Sequence, residues 1–420
     1  MRFLFRALAG FPRFGIKTLN FCFHTFAFLA LGAVAAVSCV FNPAGTAFIV
    51  LALLSILIVS ILAGRRRLLG GEATLFRYHR WYAVSLFVLS VFYFRTYTGV
   101  AEKDCAVDKN HVEYFYSAPQ CGNIFDGGEK KKCFNYSRDP YDVITAGDRL
   151  AVAYTGKGRG LLLFDPRASG REAFVTFSEK ERGPIRILYD EDRKQIVGGM
   201  QGSPLIFFLD PDSLFIKKEL RISSGQVSDS DLFAGDYYFL SERRFFHRVA
   251  GDGSRVVSVP IEGAGAKLYS LRINSATGKL YVSHWLGSDV FKYDADTLRL
   301  EKVKRIGFFG SEVEVNEADN TVLVGQPMSS RILVLDGDTL EPKRAIGAGY
   351  GIRDIQLDRK TGKIHCVNYF EGTYMRIDCA TGKTERKFRV GKLPRAIFPD
   401  EKTGEVYGVS ACGIFRIPPE

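Results

Sequence analysis

Three short segments of this sequence end on an arginine in the same setting: Pro184-Ile185-Arg186, Gly351-Ile352-Arg353 and Leu393-Pro394-Arg395. A guanidinium is a planar fork of N–H donors that fits carboxylate and phosphate groups. Brought together, the three would hold a small anionic ligand or an acidic loop of a partner protein. The competing outcome is internal pairing, with Glu312, Glu314 or Asp354 as the acids. Those acids are also the alternative metal set, in which a divalent ion would serve a hydrolase. Tyr350, in the run Gly347-Ala348-Gly349-Tyr350-Gly351, and the pair Phe308-Phe309 fall in related segments and would either line a partner surface or plug the site.

Other chemistries find little support. The six histidines (His24, His79, His111, His247, His284 and His365) include no HExxH and no pair at metal spacing, so no zinc site is expected. No GxSxG elbow, P-loop or strand-borne GxGxxG is present, which removes serine hydrolase and nucleotide chemistry. The reading leans away from an enzyme and names no cofactor. Outside the first apolar stretch, which holds Cys22 and Cys39, the cysteines are Cys105, Cys121, Cys133, Cys366, Cys379 and Cys412. Cys121 with Cys133, and Cys105 with Cys412, are the candidate disulfides, free thiols being the alternative.

The elements that position these residues come from a repeat. Asp294, Asp336 and Asp378 recur every 42 residues, each followed three residues later by Thr297, Thr339 or Thr381. The same step back from Asp294 reaches Asp252 and Asp210, and a step of 45 reaches Asp165. Short polar turns at Gly147, Arg193, Gly235, Gly278, Asn320, Gly362 and Gly404 divide runs of five to eight residues rich in Val, Ile, Leu, Phe and Tyr. Four such strands per unit make a propeller blade, so the expectation is an all-β, seven-bladed β-propeller over residues 141–420. The seventh unit lacks a fourth strand; His111 to Ala118 (HVEYFYSA), within a Cys-containing linker of residues 102–140, is expected to supply it as a clasp.

These repeats resemble the YVTN family of propellers, close to the NHL type. The resemblance rests on Tyr281-Val282-Ser283-His284, His365-Cys366-Val367-Asn368 and a degenerate Tyr407-Gly408-Val409-Ser410, and on the Asp-x-x-Thr/Ser turns. It covers about residues 141–417 and implies the fold. Some members are lactone hydrolases with acidic and Asn ligands around the channel, a set with no convincing counterpart here.

Ahead of the propeller, residues 19–41 and 46–64 are free of charge and long enough to span a bilayer, and residues 81–101 carry only Arg95. The expectation is an α-helical membrane region of three spans after a cytoplasmic tail, residues 1–18. Net charge is +11, and ten Lys/Arg against Glu72 in the first hundred residues account for +9 of it. The cations flank the first two spans, so the positive-inside rule puts the propeller on the exoplasmic side, periplasmic or extracellular. Only +2 remains for the rest, which argues against nucleic acid as a partner. The function read from the sequence is a membrane-anchored propeller that binds a ligand or scaffolds a protein. The alternatives are a lactonase-like metal-dependent hydrolase and the receptor head of a membrane sensor.

Overall fold

The computed structural model describes residues 107–117, 140–155, 160–168, 173–177, 182–222, 225–241, 244–261, 268–284, 288–307 and 310–419. They belong to a unit running from Lys103 to Glu420. The three expected spans, Cys105, Cys121, Cys133, Phe308 and Phe309 lie outside the described residues. No helix among the described residues is long and apolar enough to cross a membrane.

Seven four-stranded antiparallel sheets make the seven blades of a β-propeller. The innermost strands are Pro140–Ala146, Arg182–Asp190, Val227–Phe233, Leu268–Asn274, Val313–Asn316, Ile352–Asp358 and Ala396–Pro399. The sequence of each strand matches its depth. Second strands such as Thr321–Gln326 (TVLVGQ) are buried throughout, because blades cover both of their faces. Outer strands such as Ile216–Arg221 (IKKELR) alternate half-buried and exposed residues, as a sheet wet on one side requires.

The Asp-x-x-Thr marker is a turn between the third and fourth strands. Asp336 Oδ1 accepts from Thr339 N at 2.8 Å and Thr339 Oγ1 at 2.9 Å, and Asp294 and Asp378 repeat the pattern with Thr297 and Thr381. The next residue is left-handed: Leu214, Leu298 and Leu340 have φ of 61°, 55° and 58°, and Gly382 takes the fourth copy at 73°. Leucine tolerates a conformation that disfavours it because Leu298 and Leu340 are buried in the core between blades.

Blade seven is completed from the other end of the domain. Strand Glu113–Ser117 pairs antiparallel with Gly413–Ile417, setting Tyr114 opposite Phe415. Tyr114 donates to Val390 O and lies 3.0 Å from Ser410 Oγ, while the Phe115 ring meets Phe164 edge-on at 5.4 Å. Gly391 has φ +99°, and a Cβ there would fall 2.7 Å from Tyr114 Oη and 2.9 Å from Cys412 Sγ, so the clasp presses on a backbone that only glycine provides.

Candidate functional site

The channel has an upper mouth, where the inner strands begin, and a lower mouth, where they end. At the upper mouth, four inner strands open with a β-bulge that leaves one residue unpaired: Tyr141, Ser228, Tyr269 and Arg353. A bulge turns its extra residue away from the ladder. Three of the four bulged residues meet at the mouth. The Arg353 guanidinium lies 5.5 Å from the Tyr141 ring centre and 5.1 Å from that of Tyr269, and Nη2 donates to Tyr141 Oη at 2.6 Å. Arg395, one residue ahead of its inner strand, lies 5.4 Å from the Tyr141 ring. The mouth is therefore a half-buried cluster of two arginines and two tyrosines.

The residue after each bulge ties its blade to the next. Asp142 Oδ2 accepts from Ile187 N at 2.9 Å, Asp229 Oδ2 from Leu271 N at 2.8 Å, Ser270 Oγ from Val313 N at 3.1 Å and Asp354 Oδ2 from Ile397 N at 2.8 Å. Arg186 joins this layer, paired with Glu312 at 3.3 Å, Asp229 at 3.4 Å and Asp142 at 3.8 Å. Arg272 sits beside it, 3.0 Å from Asp229 and 3.6 Å from both Glu312 and Glu314. Arg186 comes from blade two and Glu312 from blade five, so their pair bridges the channel.

Burial sets the ionisation of this layer. It pushes the Glu312 carboxyl up to about 8 against the pull of Arg186, and that of Asp142 up to about 6. Burial opposes the charge of Arg186 too, but Glu312, Asp229 and Asp142 hold its guanidinium protonated.

Beneath the network the lower mouth widens into a cavity of about 590 Å³. Thr145, Tyr189, Leu232, Arg359, Phe398 and Lys402 are among its lining residues. Its rim is internally paired, Lys402 with Glu191 at 2.8 Å and Arg359 with Glu317 at 3.6 Å.

The arginine trio is thus divided. Arg353 and Arg395 share the upper mouth, whereas Arg186 is spent inside on the acids. Glu312 and Glu314 face arginines, and Asp354 accepts from Ile397 N and from Gln356 Nε2 at 3.1 Å. Among the described residues no three His, Cys, Asp or Glu side chains converge as a metal ion requires. Tyr350 packs on Phe370 at 5.3 Å, its amide donating to Glu371. Cys412 is disulfide-bonded, and its partner lies outside the described residues; Cys366 and Cys379 are free and buried. His247 and His365 are packing residues, and burial drives both down to about 4. Sequence reasoning missed Tyr141 and Tyr269, and with them Asp142, Asp229 and Arg272. The signal available for all five was their place in an inner strand.

No protein-family model matches the chain, and no curated protein matches it in sequence. Among solved structures, a chain of a mitotic checkpoint complex is similar, with a TM-score of 0.60 and 12% identity over 76% of this chain and 94% of that one. The WD40 β-propeller domain of Doa1 is similar at a TM-score of 0.56 and 14% identity, over 67% of this chain and 93% of that one. At these identities the likeness is one of fold: a seven-bladed propeller with WD40 propellers as structural neighbours.

Proposed function

We propose that this chain is a binding and scaffolding propeller that presents its upper mouth to a protein partner. The observation that carries this reading is the closed channel. Its acids are consumed by Arg186, Arg272 and neighbouring amides, leaving a rigid face around Tyr141, Tyr269, Arg353 and Arg395 rather than an open reaction centre. Tyrosine and arginine are the residues in which interface energy concentrates. One of the similar propellers comes from a mitotic checkpoint complex, which is in keeping with such a role.

Membrane anchoring and an exoplasmic propeller are part of the proposal. They rest on the apolar stretches 19–41, 46–64 and 81–101 and the cations around the first two. The disulfide at Cys412 favours an oxidising compartment. We assign Cys105 as its partner, because Val107 bridges to Val390 and Lys392 N donates to Cys412 Sγ at 3.2 Å, so the chain two residues beyond Cys105 already lies by this corner. Kinship with YVTN and NHL propellers is proposed on the Asp-x-x-Thr turns.

A photo-reactive residue at Tyr350, on the upper side, and another at Phe215, which is 67% exposed on the outer flank of blade two, test the binding face in native membranes. A discrete cross-linked product from position 350 alone is expected. Equal products from both positions, or none, would remove the upper face as the binding surface.

A further inference from the structure

The cavity at the lower mouth has two unlike walls. Ile144, Leu188 and Phe398, from the adjacent blades one, two and seven, line one side. Asp231, Arg272 and Glu314, from blades three, four and five, line the other. At about 590 Å³ the space has the size of a small-molecule site. Carboxylates outnumber cations in it. Asp142, Asp229, Asp231 and Glu314 line the interior with only Arg186 and Arg272, and Glu312 shares both of these guanidinium groups. At the entrance, Glu191, Asp400 and Glu401 exceed Arg359 and Lys402. The acids therefore repel one another while they attract the arginines. Burial raises the Asp231 and Glu314 carboxyls and Arg272 pulls both down, but Asp229 adds to the rise of Asp231, and Asp231 to that of Glu314. Glu314 is also left with an oxygen to offer. It is 5% exposed, and Oε1 accepts from Val315 N at 2.8 Å. Oε2 accepts no hydrogen bond among the described residues and lies 3.6 Å from Arg272 Nε. A buried carboxylate oxygen on the wall of a cavity is an acceptor for a charged donor that enters it.

We propose that the lower cavity binds an organic cation, a protonated amine carried on an apolar body. The ammonium donates to Glu314 Oε2 on the acidic wall, and the body covers Ile144, Leu188 and Phe398 on the other. A bare metal ion suits the cavity less well. The space is far larger than an ion, and no three His, Cys, Asp or Glu side chains converge among the described residues. The site lies at the opposite mouth from the face around Tyr141 and Arg353, and it stands or falls apart from that face.

The test follows the unfolding temperature of the full chain at constant ionic strength and neutral pH, titrated with pentylamine, pentanol or calcium chloride. Saturable stabilisation by pentylamine alone is expected, because pentanol has the body without the charge and calcium the charge without the body. N-acetyl-lysine amide separates two sources of the same chemistry. Tighter binding than pentylamine assigns the site to a lysine side chain of a partner, and weaker binding to a free amine. Glu314→Gln should weaken pentylamine binding about tenfold or more, since it removes the charge and keeps the shape. Thr145→Lys, which brings an ammonium of the chain's own to the lining, should abolish binding and serves if the first variant does not fold. Phe215→Ser, on the outer flank of blade two, should leave it intact. A flat pentylamine titration, an equal response to pentanol or to calcium, or undiminished binding in either lining variant would each overturn the site.

Discussion

Arg186 and Glu312 reach each other from blades that stand almost opposite in the ring, and their pair makes the channel sensitive to pH. Burial raises the folded pKa of Glu312 to about 8 and of Asp142 to about 6, above the ordinary carboxylate values of 4.5 and 3.8. A raised folded pKa gives stability that is complete below the unfolded value and is lost as pH rises through the folded one. The turn aspartates act in the opposite sense. Hydrogen bonds from Thr297 hold Asp294 down to about 2, so its contribution is present above its ordinary value of 3.8 and is lost as pH falls toward 2. The unfolding temperature should therefore fall in acid below about pH 4 and also fall on the alkaline side, from about pH 4 to 8. Glu312→Gln should flatten the alkaline fall and leave the acid one, which a pH series of thermal melts on both proteins measures. An unchanged alkaline fall would show that Glu312 is not its source.

Single elements show what the sequence could disclose. The Asp-x-x-Thr turn was legible because its chemistry is local: a short acid accepts from amides two and three residues on. Asp336→Ala removes acceptors for Asp338 N, Thr339 N and Thr339 Oγ1 and the pair with Lys343. We expect a loss of about 1–2 kcal/mol in urea unfolding. The clasp was legible as a strand without a sheet beside a sheet without a strand. Tyr114→Ala should cost about 2–4 kcal/mol, read as a lower denaturation midpoint, because the ring fills the angle between Phe415 and Gly391. The mouth was legible only in part. Arg186 and Arg353 look alike in sequence, but Arg353 occupies a bulge while Arg186 pairs with Gly199 after two register shifts, so one turns to the mouth and the other to the acids. Bulges arise from how strands pair and leave no mark in composition. Tyr141 and Tyr269 went unnoticed for that reason, as did the acids that bind across blades rather than along the chain.

At the scale of the molecule, the propeller closes its own channel with ions and closes its ring with a clasp from the linker side. That clasp is tied down at the corner where Val107 meets Val390 and Cys412 is disulfide-bonded. Reducing the disulfide should lower stability by about 2–4 kcal/mol, measured as paired denaturant curves with and without reductant. We propose that the propeller lies on the exoplasmic side of a membrane, a placement the Cys412 disulfide favours. Protease added to sealed, right-side-out membranes containing the full chain tests that placement most directly. A propeller cleaved or released without permeabilisation is the expected result, while a propeller protected until detergent is added would contradict an exoplasmic placement.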